Sequence, residues 1–512
     1  MARSSTNGNG RQFNSQQSLN SAVKSICDIM RRSNCAGALQ YVPELTWILF
    51  LRILDEREEQ DAEAAEAVGA DFTPSLTAPY RWQDWAAPKG PKRIELQEST
   101  LGAFMGFVNE DLIPHLRELG DRPNATARQK VISQIFSGVE HVRIDSERNL
   151  CDVLDKVHEI SHDGVDTTHI FTLSQVYEGL LLKMGERGND GGQFFTPREI
   201  IRTMVKVVDP QCGQTVYDPG CGTGGFLAQA YEHMKSALGG ATPDQIETLK
   251  RRTFYGREKD NLIYPIALAN LVLHEIDEPH IWHGNTLTGG ATYDGLFQGA
   301  PELHDVILMN PPFGGKEGKD AQTHFDFKTS ATQVLFLQHV IRSLKAGGRC
   351  GIVLDEGVLF RTNENAFLQT KRRLLDECDL WCLVSLPSGT FMNAGAGVKT
   401  NLLFFTKGQP TERTWYYDLS DIKVGKKSPL TLQHFEEFFR LLPERADSDH
   451  SWTVTMDEIR ERNYDLKAVN PNAKSNEDTR TPEELLDLIE AKGEEVAEAV
   501  AALRKMRGAT QD

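Results

Sequence analysis

The chain has no CxxC pair, no Cys/His grouping at metal-ligand spacing, no apolar run of twenty residues and no excess of positive charge. Each absence excludes something. Eight scattered cysteines argue against a zinc site or a disulfide framework and for free thiols in a reducing cytoplasm. Cys378 and Cys382 read as core thiols, His158, His162 and His169 as surface or polar-network residues, and no metal is expected. The nearest candidate for a membrane span, residues 45–54, is short and contains Arg52. Residues 2–20 are rich in Ser, Asn, Gln and Gly, lack the apolar core of a signal peptide and read as a flexible lead-in. Lys and Arg number 56 against 73 Asp and Glu, a net charge of −17. A protein that grips DNA phosphates by itself needs a basic surface, so either nucleic acid is not the substrate or another chain supplies most of the grip.

What is present is organised in sections. A length of 512 residues predicts two or three domains. After the lead-in (1–20), residues 21–160 read as helical, with apolar residues at helical spacing in Ile26, Ile29 and Met30, in Leu45, Ile48, Leu49 and Leu51, and in Phe104, Phe107, Val108, Leu112 and Ile113. The charge-dense run 55–66 reads as a solvated helix face. Between 161 and 410 a helix around 173–184 and a Gly-rich loop at 185–192 come first. Short apolar runs then alternate with helical patterns: 215–217, 253–256, 305–309, 350–354, 380–386 and 400–405. That alternation predicts an α/β fold, a mostly parallel sheet with helices on both faces. Residues 411–512 are polar and end in a helix over 482–506, with Thr481 as its cap, Pro482 in its first turn and Glu484 completing a capping box. Leu485, Ile489, Val496, Ala499 and Leu503 form a narrow apolar seam on it, for a partner helix or for its own chain.

The most specific string is Asn310-Pro311-Pro312-Phe313, which follows the strand-like Val306-Ile307-Leu308-Met309. With proline at about 5% of residues, such a string arises by chance in well under ~1% of chains this long. The Asn side-chain oxygen and the Pro311 carbonyl are both acceptors, and proline rigidity holds them convergent, so a planar amino group could have both N–H bonds taken there. Phe313 offers a face on which a flipped-out base could stack. A plain Pro-rich turn is the alternative. The following loop, 314–330, reads either as a lid or as a disordered surface loop.

Upstream, Val216-Tyr217-Asp218-Pro219-Gly220-Cys221-Gly222-Thr223-Gly224-Gly225-Phe226 is a strand, a Gly-rich turn and a helix start. Glycines let a ligand approach the backbone, and the helix presents free N–H groups to it. Glu258 ends the next strand, at the spacing where an acid holds both ribose hydroxyls of an adenosyl group. After the strand-like Ile281-Trp282-His283, Asn285 is either a contact for an adenine edge or a simple turn residue. Gln193-Phe194-Phe195-Thr196-Pro197-Arg198 supplies an aromatic wall or, more plainly, a capped start for the helix 199–207.

In this order the segments resemble the gamma-arrangement N6-adenine DNA methyltransferases, and in detail the modification subunits of type I restriction-modification systems. Asn463-Tyr464-Asp465-Leu466 also resembles that family's C-terminal extension. The resemblance implies an S-adenosylmethionine-dependent methyltransferase fold, with a mostly parallel seven-stranded sheet, an all-α N-terminal domain and a helical C-terminal extension. It implies that Gln193, Phe194, Phe195, Thr196, Pro197, Arg198, Asp218, Gly220, Cys221, Gly222, Glu258 and Asn285 contact S-adenosylmethionine, although Asn285 stands where such enzymes often carry Asp. Asn310, Pro311, Pro312 and Phe313 would hold the target adenine. The implied activity is methylation of adenine N6 in double-stranded DNA, protecting host DNA from a cognate nuclease. Implied partners are a specificity subunit that reads the DNA, a second copy of this chain and a nuclease or translocase subunit, which accounts for the negative charge.

Two rival readings remain at this level. A protein glutamine methyltransferase would present an amide to the same acceptors, but does not need the long helical segments. A non-catalytic subunit could keep the fold alone, but has no need of intact cofactor and amine residues.

Overall fold

A computed structural model describes residues 16–33, 35, 38–159, 196–391, 398–425, 428–472 and 481–508. The helix expected at 173–184, the loop 185–192 and the residues Gln193, Phe194 and Phe195 lie outside that set, as do His162, His169 and most of the lead-in. Helix α1 (Gln16–Arg31) opens within the lead-in's last five residues. It is followed by α2 (Ala38–Ala67), α3 (Ala127–Phe136) and α4 (Glu147–His158). The apolar spacing seen in the sequence is the buried side of these helices: Leu45, Ile48, Leu49 and Leu51 of α2 are all 1% exposed or less. Side chains buried to that degree stabilise the fold by roughly 1.5–3 kcal/mol each.

The charged run on α2 is only in part the solvated face expected of it: Glu59, Glu63 and Glu66 are exposed, but others are paired. Glu58 is buried and accepts from the Ser75 N–H through both oxygens, each at 3.0 Å. Arg57 and Arg128 both reach Asp277 at 3.0 Å, and Arg57 also donates to the Val272 carbonyl at 2.5 Å. Arg128 further pairs with Glu58 and Asp61. A charge run reads as solvated only while its ionic partners, here Arg128 and Asp277, more than sixty residues away in sequence, are unknown.

Beyond the helical segment come α5 (Arg198–Val208), β1 (Val216–Asp218), α6 (Gly225–Ala237), β2 (Phe254–Glu258), α7 (Ile263–Leu273), β3 (His280–His283), β4 (His304–Met309), α8 (Thr332–Ser343), β5 (Leu344–Asp355), α9 (Glu356–Phe360), α10 (Asn365–Glu377), β6 (Cys378–Ser385) and β7 (Thr400–Lys407). Helix α7 carries no charged residue and is buried almost all round, as a helix must be when it lies between two layers. Its neighbours are α2 and α3 of the helical segment and α6.

The sheet order is β3-β2-β1-β4-β5-β7-β6-β8-β9. Strands β1 to β5 pair with one another in parallel, and β7 runs antiparallel between β5 and β6. Seven strands were expected; nine are present among the described residues. The two extra strands, β8 (Arg413–Asp418) and β9 (Ser451–Thr455), come from the segment read as a polar extension, β8 parallel to β6 and β9 antiparallel to β8. Both faces of the sheet are covered, so successive residues enter different cores: Val306 and Leu308 of β4 join one, Ile307 and Met309 the other. Cys378 and Cys382 are buried thiols in these cores, and His158 accepts a hydrogen bond from Trp82.

Residues 470–512 form a separate compact unit. Its helix α11 (Pro482–Gly508) starts with the expected box: Thr481 N–H donates to Glu484 Oε2 at 2.7 Å and Glu484 N–H to Thr481 Oγ1 at 3.2 Å. Ile489 and Val496 of the seam are exposed, 65% and 62%. No helix of the described residues is long and apolar enough to cross a membrane.

Candidate active site

Parallel neighbours β1 and β4 end side by side, so the Gly-rich turn after Asp218 and the Asn-Pro-Pro-Phe loop after Met309 leave the same edge of the sheet. They touch there. A Cβ on Gly220 would lie 3.0 Å from Met309 Cε, and Gly222 has φ of 53°, so the turn needs residues without a side chain.

The turn is tied to its neighbours by buried hydrogen bonds. Cys221 N–H donates to the Arg257 carbonyl at 2.9 Å, Gly222 N–H to Glu258 Oε2 at 2.9 Å, and Asn270 of α7 to the Thr223 carbonyl at 2.9 Å. Thr286, in the loop after β3, donates to the Pro219 carbonyl at 2.5 Å. The structure therefore gathers Asp218, Gly220, Cys221, Gly222 and Glu258 in one place. Burial pushes the Asp218 carboxyl up to about 8, with the Glu258 charge adding and the Gly220 N–H opposing. Burial likewise pushes Glu258 up to about 7 against N–H bonds from Asp260 and Gly222. Glu258 Oε2 accepts from Gly222 N–H and Oε1 from Asp260 N–H, with the Lys259 N–H also acting on the carboxyl, and a carboxylate's four lone pairs leave room for a further donor. A cradle of glycines beside a buried acid with spare acceptor capacity fits an adenosyl group.

Asn285 sits differently. Its Oδ1 accepts from Leu287 N–H at 3.0 Å, closing a turn, and its Nδ2 reaches Glu317 Oε2 at 3.5 Å. Thr196 and Pro197 were expected to cap and open α5, but the residue preceding that helix is Pro197 and no side chain caps it. The Thr196 hydroxyl is instead 3.0 Å from Asn310 Nδ2. Arg198, the first residue of α5, is half-buried.

The Asn-Pro-Pro-Phe loop carries the most telling atom: Asn310 Oδ1 is buried and has no hydrogen-bond partner among the described residues. An orphaned buried acceptor costs about 1–3 kcal/mol, so one at a strand-end loop can be offset by a ligand that donates to it. Pro311 is buried and Pro312 half-buried. The ring of Phe313 meets that of Phe391 edge-on, centroids 5.2 Å apart at 70°. Sequence reasoning missed Phe391; its signal was an aromatic following a Ser-Gly-Thr turn after β6. It also missed Gln333, a buried polar residue in the otherwise apolar start of α8, whose Nε2 lies 3.5 Å from the Pro311 carbonyl.

The loop 314–330 is tied at several points. Glu317 N–H donates to the Ser330 carbonyl at 2.8 Å and Thr332 N–H to the Gly315 carbonyl at 3.1 Å, closing its neck. Phe325 is buried, and Gln338 of α8 holds both the N–H and the carbonyl of Phe327.

Strands in this order, with a Gly-rich turn and an Asn-Pro-Pro-Phe loop at their carboxyl edge, are those of a methyltransferase of the doubly wound class. Residues 168–480 match the N-6 DNA methylase family and residues 19–157 the HsdM N-terminal domain. The chain is 35% identical over 508 residues to the methylase subunit of the type I restriction enzyme EcoEI of Escherichia coli, covering 96% of this chain and 98% of that one. It is 31% identical over 438 residues to the EcoKI methylase subunit of E. coli K12, covering 82% and 75%. A solved chain from a study of complex assembly and conformational transition in the type I restriction-modification system superposes with a TM-score of 0.72 at 36% identity, covering 96% of this chain and 98% of that one. The chain belongs to the N-6 DNA methylases, among the methylase subunits of type I restriction enzymes, and is an adenine-specific DNA methyltransferase.

Proposed function

We propose that this chain methylates adenine N6 at the Asn310 to Phe313 loop, using S-adenosylmethionine held by the Gly220 to Gly222 turn, Asp218 and Glu258. The observation that carries the reading is the buried, unpartnered Asn310 Oδ1 next to the Pro311 carbonyl. Bound S-adenosylmethionine supplies a methyl group on a positively charged sulfur. Adenine N6 is a poor nucleophile because its lone pair is spread into the ring. When Asn310 Oδ1 and the Pro311 carbonyl accept its two N–H bonds, positive charge developing on nitrogen is stabilised and the lone pair is directed away from them. Asn310 accepts a hydrogen bond and not a proton, so the amine's proton leaves to solvent after transfer, and no covalent enzyme intermediate is needed. Extrusion of the base costs a few kcal/mol, offset by stacking on Phe313 with Phe391 supporting that ring.

Glu258 gives a pH test. Its carboxyl is raised to about 7 by burial, so in the free protein it is neutral below that value and must ionise to accept both ribose hydroxyls. S-adenosylmethionine affinity should therefore weaken by up to about tenfold per pH unit below that point. Calorimetric titration from pH 5.5 to 8.5 measures this, and Glu258→Gln should flatten the profile. A wild-type profile without slope would remove the role.

The partners are those the family resemblance implies, and the charge agrees with them: at −17 the chain has no excess of positive charge for phosphates, so DNA reading and most phosphate contact fall to a specificity subunit, with a second copy of this chain and a nuclease or translocase subunit completing a cytoplasmic complex. The exposed Ile489 and Val496 on α11 are the docking surface for that subunit. Truncation before Pro482 should abolish co-purification with it; unchanged recovery would assign the helix elsewhere.

A further inference from the structure

We infer that Thr196 and Gln333 are positioning residues, each fixing one of the two acceptors that take the adenine amine. The inference rests on the reading of the Asn310 site above and extends it to the two side chains that meet its acceptors, Thr196 at Asn310 and Gln333 at the Pro311 carbonyl.

A carboxamide is a two-faced group. Turned by half a revolution, Asn310 would present two N–H donors where an acceptor is required, and donors facing the N6 amino group would repel it. Among the described residues the Asn310 side chain makes one hydrogen bond, from Nδ2 to Thr196 Oγ1 at 3.0 Å. A threonine hydroxyl can donate or accept, so the bond holds the carboxamide in place; in the orientation present Thr196 accepts from Nδ2, and Oδ1 stays buried without a partner among the described residues. Thr196 comes from the segment just before α5, 114 residues earlier in the chain, so the orientation of the acceptor depends on a second element being in place.

The Pro311 carbonyl is treated in the same way from the other side. Gln333 is 3% exposed, and its own orientation is not free: Oε1 accepts from the Asp355 backbone N–H at 3.1 Å, where only an acceptor can sit. Nε2 is therefore the end turned to the Pro311 carbonyl, 3.5 Å away. That distance is long for a hydrogen bond, so the effect is to align the carbonyl dipole rather than to clamp it. The carbonyl has two lone pairs, and one directed to Gln333 leaves the other for the amine. Asp355 is itself anchored, since its carboxylate caps α9 by accepting from Val358 N–H at 3.0 Å. The chain α9, Asp355, Gln333, Pro311 thus carries the rigidity of the β5 end into the acceptor.

The test uses the full chain with its complex partners, labelled S-adenosylmethionine and unmethylated DNA. Thr196→Val keeps the shape and removes the hydroxyl; Gln333→Glu keeps the bond to Asp355 N–H and turns only the Pro311 end from donor to acceptor. Each should lower kcat roughly three- to tenfold, the size of one net hydrogen bond. The KM and the calorimetric Kd for S-adenosylmethionine should stay at wild-type values, and Thr196→Ser should restore kcat. If Thr196→Val folds poorly, Thr196→Ala carries the same expectation. A raised Kd for the cofactor with unchanged kcat would place Thr196 in the cofactor site instead, and an unchanged kcat in Gln333→Glu would end its role. Asn310→Ala run alongside separates the levels: if it turns over normally, the underlying reading fails; if it is inactive while Thr196→Val and Gln333→Glu behave as wild type, only the present inference fails.

Discussion

Asn310→Ala is expected to cut methyl transfer by at least about 10²–10³-fold, the loss seen when one preorganised polar group is removed from a developing charge. The alanine deletes Oδ1, the acceptor that the fold keeps buried without a partner. It also frees the Thr196 hydroxyl, a local change remote from the hydrogen bonds that tie the Gly-rich turn to Glu258. Cofactor affinity should therefore stay within about threefold of wild type, since no net hydrogen bond in that half is lost. Transfer of a labelled methyl to DNA reads the first quantity and calorimetry the second. Wild-type turnover in the variant would refute the role given to Asn310.

Asp277→Ala should lower stability by about 3 kcal/mol, because removing one partner of a mostly buried pair leaves the other charge uncompensated. Asp277, just beyond α7, receives Arg57 from α2 and Arg128 from α3, and all three side chains are only 14–16% exposed. Arg128 keeps Glu58 and Asp61, so the burden falls on Arg57, left with the Val272 carbonyl alone. The contact joins the helical segment to α7, so the loss should appear as a lower urea midpoint, with Asp277→Glu partly recovering it. A midpoint within experimental error of wild type would show that the pairs are solvated in practice.

Much of the sheet was legible in the sequence because β1 to β7 are short apolar runs bounded by Gly, Pro and helical patterns, and burial on both faces demands such runs. Strands β8 and β9 were not legible, although Thr414-Trp415-Tyr416-Tyr417 and the alternation of Ser451-Trp452-Thr453-Val454-Thr455 suit strands. The polar stretches around them masked that local signal. Among the candidate site residues, the Gly-rich turn, Glu258 and the Asn-Pro-Pro-Phe loop stand at the ends of strands as the patterns suggested, because turn chemistry is local. The bond from Thr196 to Asn310 spans 114 residues and the contact between Phe313 and Phe391 joins two separate loops. Long-range pairings of that kind have no periodicity to betray them. Thr196 shows the hazard: a threonine before a proline and a helix looks like a cap, and its hydroxyl was needed elsewhere.

The lengthened sheet has a bearing on how copies of the chain can associate. Its outermost members are β3, four residues long, and β9, five, and such brief rims give a neighbouring molecule little backbone to zip onto. Association with other chains is thereby left to helices and loops, which can be individually shaped for one partner, and the scaffold is protected from indiscriminate stacking into fibres.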